Sequence, residues 1–128
     1  MKRRALSMLA GLALLLGGGA AQAQASNNIK FGLCYDLSKA YTFVTPQIVQ
    51  AAKDYATLLN AKGGIEGHPI EIVVQDHGNE PQRGIECYEK LKREGVMVFD
   101  MLSTPVSRAV LPRIMADGNI LLQSFVGR

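Results

Sequence analysis

Four short apolar runs, at residues 29–34, 70–75, 96–101 and 120–123, alternate along the chain with three segments of helical periodicity. Strands separated by helices cannot pair as hairpins; each must reach its neighbour by a crossover, which predicts an α/β fold with a parallel sheet. The first helix is expected to start at Thr45 as N-cap, with Pro46 at its first helical position. Its apolar stripe is Ile48, Val49, Ala52, Tyr55, Ala56 and Leu59, and Gly63-Gly64 stops it. The second helix runs from Pro81 to Gly95 on a stripe of Ile85, Tyr88 and Leu91, and the third from Ser103-Thr104-Pro105 to Asp117-Gly118 with Pro112 inside it. Crossovers of fixed right hand then favour a doubly wound sheet of order 2-1-3-4, the first helix on one face and the second and third on the other. One helix cannot cover four strands. Since the apolar run near residue 121 has hardly ended before Gly127-Arg128, the chain reads as the start of a longer one.

The formal charge of +3 reflects 14 Lys+Arg against 11 Asp+Glu. Three of those bases are Lys2, Arg3 and Arg4, directly before the apolar run 5–16 and the small-residue sites Ala21-Gln22-Ala23 and Ala23-Gln24-Ala25. This is the build of a cleavable secretory signal peptide, assigned to residues 1–25, whose apolar run of 12 residues is too short to span a bilayer. Its removal leaves the remainder, residues 26–128, with bases and acids in balance, so the basic pI marks export and not a nucleic-acid partner. A periplasmic location follows, without membrane insertion of the mature chain.

Ligands of open α/β sheets bind beyond the carboxyl ends of the strands. The most informative loop there is Leu102 to Ser107, where Ser103, Thr104 and Ser107 surround a helix start suited to an anion, although plain N-capping accounts for the same residues. No G-x-G-x-x-G, Walker lysine motif or G-x-S-x-G elbow occurs, and neither His68 nor His77 has a ligand-spaced partner, so no cofactor and no metal is implied. Asp76 at a strand end reads as a loop cap, while Tyr35, Asp36 and Lys39 either line the mouth or are solvated. Cys34 and Cys87 are expected as two buried thiols, because a mid-helix cysteine over a sheet is poorly placed to bridge.

Several segments, in order, match a known family. They are Ile29-Lys30-Phe31-Gly32, Asn60-Ala61-Lys62-Gly63-Gly64-Ile65-Glu66-Gly67, Asp76, Pro81-Gln82-Arg83-Gly84, Leu102-Ser103-Thr104-Pro105 and Val110-Leu111-Pro112. Over residues 29–128 the chain resembles periplasmic solute-binding proteins of the branched-chain amino acid importer family, which have the type I periplasmic binding fold. The resemblance implies a partial N-terminal lobe (residues 26–128, incomplete) of a two-lobed receptor that delivers solute to the membrane permease subunits of an ABC importer. It also implies a carboxylate held at Thr104, with Ser103 before it, further contacts near Ser124, Phe125 and Gly127, and a first-loop contact from Tyr41 or Ser38. Gly127 has no hydroxyl, and Asn79 and Ser103 stand where some members carry a disulfide. Both departures leave open whether the solute is a branched-chain amino acid or a related small amide or carboxylate.

No enzymatic role is expected. Two other functions share the fold: a ligand-sensing receptor domain, and an exported α/β hydrolase drawing on Asp76, His77 and Ser103 or Thr104.

Overall fold

The computed structural model describes residues 27–124; the expected signal peptide, Phe125 and Gly127 lie outside the described residues. The elements are β1 (Ile29–Tyr35), α1 (Thr45–Ala61), β2 (Ile70–Asp76), α2 (Pro81–Arg93), β3 (Val98–Asp100), α3 (Thr104–Asp117) and β4 (Ile120–Leu122). The four strands form one parallel sheet of order β2-β1-β3-β4, as the crossover rule predicts. In register, Leu33 of β1 stands between Val74 of β2 and Asp100 of β3, and Asp100 pairs onward with Leu122 of β4. All four strands therefore end along one edge.

The larger core lies between the sheet and the pair α2 and α3. Cys34, Cys87, Tyr88, Leu91, Val96, Phe99, Met101, Val106, Val110 and Ile114 are buried there together. Two glycines set its thickness. A Cβ on Gly32 would stand 2.9 Å from both Leu91 Cδ1 and Val96 Cγ1, so its absence lets α2 settle onto β1. A Cβ on Gly84 would run into Val106, which makes Gly84 the point of closest approach between α2 and α3. Tyr88 packs its ring against Phe99 with centroids 4.8 Å apart, and its hydroxyl donates to Asp117 Oδ2 at 2.6 Å, tying α2 to the end of α3.

Gly32 also explains a correction. Cys34 and Cys87 are not free thiols; they form a disulfide with Cα atoms 6.3 Å apart. Cys34 lies two residues beyond Gly32 and so faces α2 as Gly32 does. A helix held off by an ordinary side chain at position 32 would leave the sulfurs out of reach.

Among the described residues, the opposite face carries α1 alone. Leu33, Tyr35, Val49 and Leu102 are buried there, with Ile48, Ala52, Ile72 and Val74 partly covered. Tyr55, expected in the buried stripe, is 62 % exposed, because it sits on the side of α1 that overlooks uncovered sheet. Ile120 and Leu122 on that face of β4 are likewise exposed. Thr45 is not the N-cap. It is the first residue of α1, after Val44, and its hydroxyl donates back to the Asp36 and Tyr41 carbonyls at 2.6 and 3.0 Å.

The disulfide closes a segment of 53 residues that includes α1 and β2. Replacing both cysteines with alanine is expected to lower the unfolding free energy of the full chain by about 2–4 kcal/mol. Urea unfolding followed by circular dichroism, with and without reductant, checks this: reductant should shift the midpoint of the unmodified chain and leave the double variant unmoved.

Candidate functional site

At the carboxyl edge of the sheet, the loops leaving β1, β2 and β3 meet. Their backbone N–H groups have left the ladder and need acceptors. An aspartate at each strand end supplies them. The buried Asp36 carboxylate accepts from Ser38, Lys39 and Tyr41 N–H at 3.2, 2.8 and 3.0 Å, which folds the β1–α1 loop around it. Burial works to raise its pKa, but the N–H donors of Tyr41, Lys39, Ser38 and Ala40 prevail and hold it below the ordinary value.

Asp76 does the same between loops. It accepts from Leu37 N–H at 3.0 Å, the Ser38 hydroxyl at 2.7 Å, Gly78 N–H at 2.8 Å and Arg83 at 2.9 Å. Burial again opposes, and these donors again win, setting its pKa at about 2. Asp100 behaves differently. It takes a hydrogen bond from the Tyr35 hydroxyl at 3.1 Å, another from Leu102 N–H at 3.2 Å, and a third from the Ser124 hydroxyl. Burial dominates, so both the Asp100 carboxyl and the Tyr35 phenol are pushed upward. The Leu102 turn that this carboxylate supports has φ of 43°, a left-handed conformation that a leucine adopts only under constraint.

Beyond Leu102 the backbone enters α3. Ser103 occupies the N-cap position with extended φ and ψ of −157° and 117°, yet its side chain makes no capping bond. Its hydroxyl donates instead to Asn79 Oδ1 at 2.7 Å, across to the loop after β2. The capping role expected for Ser103 is therefore wrong. The place where related proteins were expected to carry a disulfide is bridged here by this hydrogen bond. Thr104 and Val106 consequently keep N–H groups at the positive end of α3 without a side-chain cap, Pro105 having none to offer.

Of these two, Thr104 borders a cavity of about 410 Å³ lined by Tyr41, Phe43, Val44, Leu102, Ser103, Thr104 and Gln123, while Val106 is fully buried in the core below it. Of the expected site residues, Ser103, Thr104 and Tyr41 come together on this wall. Ser38 stands apart, turned to Asp76, and Ser124 is turned to Asp100. Phe43, Val44, Leu102 and Gln123 were not foreseen. Gln123, a polar residue closing an apolar run, is the one whose sequence setting could have marked it, and its Oε1 accepts from the Ser107 hydroxyl. Tyr35 and Asp36 are buried rather than at the mouth, and exposed Lys39 pairs with Glu80.

Asp76→Asn should cost about 1.5–3 kcal/mol of stability at neutral pH, since it weakens charge-assisted bonds to two loops. The depressed carboxyl pKa contributes stability that is fully present above the unfolded value near 3.8 and is lost as pH falls through about 2. The gap between the two proteins in urea unfolding should therefore shrink as the pH falls from about 5 toward 2.

Among the described residues no helix is long and apolar enough to cross a membrane, and no group of three or more His, Cys, Asp or Glu is placed to hold a metal ion. A family model described as "Periplasmic binding protein" matches residues 28–127. A comparison with the curated proteins finds no match. Among solved structures, the fatty acid ABC transporter substrate-binding protein from Thermomonospora curvata is 34 % identical, with a TM-score of 0.72 over 77 % of this chain and 25 % of that one. The branched-chain amino acid transporter substrate binding protein LivJ from Streptococcus pneumoniae, in complex with isoleucine, shares the fold at 21 % identity, with a TM-score of 0.68 over 75 % and 28 % of the two chains. An ABC transporter solute binding protein from Rhodopseudomonas palustris BisB5, in complex with 3,4-dihydroxy benzoic acid, shares it at 18 % identity, with a TM-score of 0.65 over 76 % and 27 %. The chain spans about a quarter of the length of these proteins. With the parallel 2-1-3-4 sheet and a family match over nearly all the described residues, the chain belongs to the periplasmic binding proteins and has the type I fold.

Proposed function

We propose that this chain forms one wall of a solute site in the substrate-binding component of an ABC importer, working in the periplasm after removal of residues 1–25. The solute is a branched-chain amino acid or a related small carboxylate or amide, handed to membrane permease subunits. The observation that carries this is the uncapped start of α3. Thr104 lines the cavity there with a hydroxyl and an N–H, and the helix dipole adds a positive end. Around these polar groups Tyr41, Phe43, Val44 and Leu102 provide the apolar lining that a carbon skeleton needs.

The ligands named for the similar proteins agree with that chemistry. Fatty acids, isoleucine and 3,4-dihydroxy benzoic acid have different skeletons but all carry a carboxylate. A helix start against an apolar wall suits each of them. The hydrolase alternative needs a hydroxyl paired with a base. Ser103 instead donates to Asn79, and both ring nitrogens of buried His77 are engaged by backbone groups.

The test is a nitrogen-15 NMR titration of the full chain with isoleucine, a fatty acid and 3,4-dihydroxybenzoate, and with the alcohol leucinol as a control lacking the carboxylate. The carboxylates should move the Thr104 amide signal and leucinol should not. Thr104→Ala should weaken isoleucine binding roughly tenfold. Equal responses to leucinol and isoleucine, or an unchanged affinity in the variant, would rule out this site.

A further inference from the structure

His77 is a fully buried titratable side chain, and the proposed solute contacts do not use it. It follows β2 directly and reaches across the carboxyl edge of the sheet. The Asn79 N–H donates to its Nδ1 at 2.9 Å, and its Nε2 lies 2.8 Å from the Met101 carbonyl oxygen. A ring nitrogen that accepts an N–H carries no proton, so the single proton sits on Nε2 and is donated to Met101. One neutral tautomer thus joins the loop after β2 to the turn that enters α3.

Both partners lead to the start of α3. Asn79, held in the left-handed region at φ 57°, presents the Oδ1 that takes the Ser103 hydroxyl. Met101 precedes the strained Leu102, whose neighbour is Ser103. We infer that His77 is a positioning residue of the solute site: its neutral ring fixes Asn79 and the Met101 turn so that Ser103 is drawn off the helix cap and the start of α3 at Thr104 stays open to solute. The solute part of this rests on the function proposed above; the geometric part does not.

The arrangement has a pH limit. A second proton would go onto Nδ1 and set an N–H against the Asn79 N–H. The charged groups acting on the ring are the Asp36 carboxylate from the β1–α1 loop and the Asp76 carboxylate at the end of β2, and both favour the cation, as do the Met101 and Cys34 backbone groups. Burial outweighs them and holds the ring below the ordinary histidine value. The contribution is therefore full above that ordinary value and is lost as pH falls through the lower folded one.

The experiment is a pH titration of the unmodified full chain, following the His77 ring nitrogens and the backbone amides by NMR. Near neutral pH the ring should show its proton on Nε2. On acidification the Asn79, Ser103 and Thr104 amides should shift together with the ring, and isoleucine affinity should fall roughly tenfold across the same transition. A second readout is His77→Asn, whose Oδ1 can still accept from the Asn79 N–H but falls short of Met101. The Asn79 amide should stay slow to exchange while the Thr104 signal moves. A proton on Nδ1, or a His77 titration that leaves Asn79 and Thr104 still, overturns the inference. An isoleucine response that is constant through the His77 transition overturns it while leaving the proposed function standing. No isoleucine response at any pH, with the amides still moving with the ring, overturns the proposed function and upholds the relay.

Discussion

A parallel sheet delivers every strand end to one edge, and every loop that leaves that edge carries N–H groups cut off from the ladder. Asp36, Asp76 and Asp100 meet that demand, one at the end of each of the first three strands. Their environments shift their acidity in opposite directions. Asp36 and Asp76 are held low by clusters of donors, whereas Asp100, with burial dominant, is pushed up. The β1–α1 loop folds around the first and is tied to β2 by the second. The turn into α3, with its strained leucine, rests on the third. The cavity wall proposed to hold solute is built on these carboxylates, although none of them lines the cavity.

The packing beneath is lopsided. α2 and α3 together enclose a continuous core that reaches from Cys34 to Ile114. α1 shields only the β1–β2 half of the other face, leaving an apolar cavity of about 360 Å³ lined in part by Phe31, Leu33, Tyr55, Leu59 and Ile72. The expectation that one helix could not cover four strands follows from strand number and crossover handedness alone. Exposed Ile120, Leu122 and Tyr55 show where the cover runs out among the described residues.

Element type and strand order were legible because they depend on periodicity and handedness, which are local or nearly so. Element ends were less so: the third apolar run extends past both ends of β3, since Val96 and Met101 are buried without joining the ladder. The disulfide was missed because it depends on helix-to-sheet distance. That distance is set by a glycine two residues upstream, and nothing in the spacing of two cysteines reports it. Ser103 was misread for a related reason. Its choice between capping its own helix and bonding Asn79 is decided by a loop 24 residues away. Thr104 and Tyr41, expected from the motif and the loop, line the cavity. Phe43 and Val44 escaped notice because a loop aromatic and a helix-start valine look alike whether they line a cleft or meet solvent.

The bridge between Cys34 and Cys87 has a consequence for assembly. Both sulfurs are sealed beneath α2, with Cys34 wholly out of solvent and Cys87 nearly so. The two sulfurs meet only as the helix reaches the sheet. The bond is thus a latch on a closing door: once made, it keeps the first strand and the second helix together.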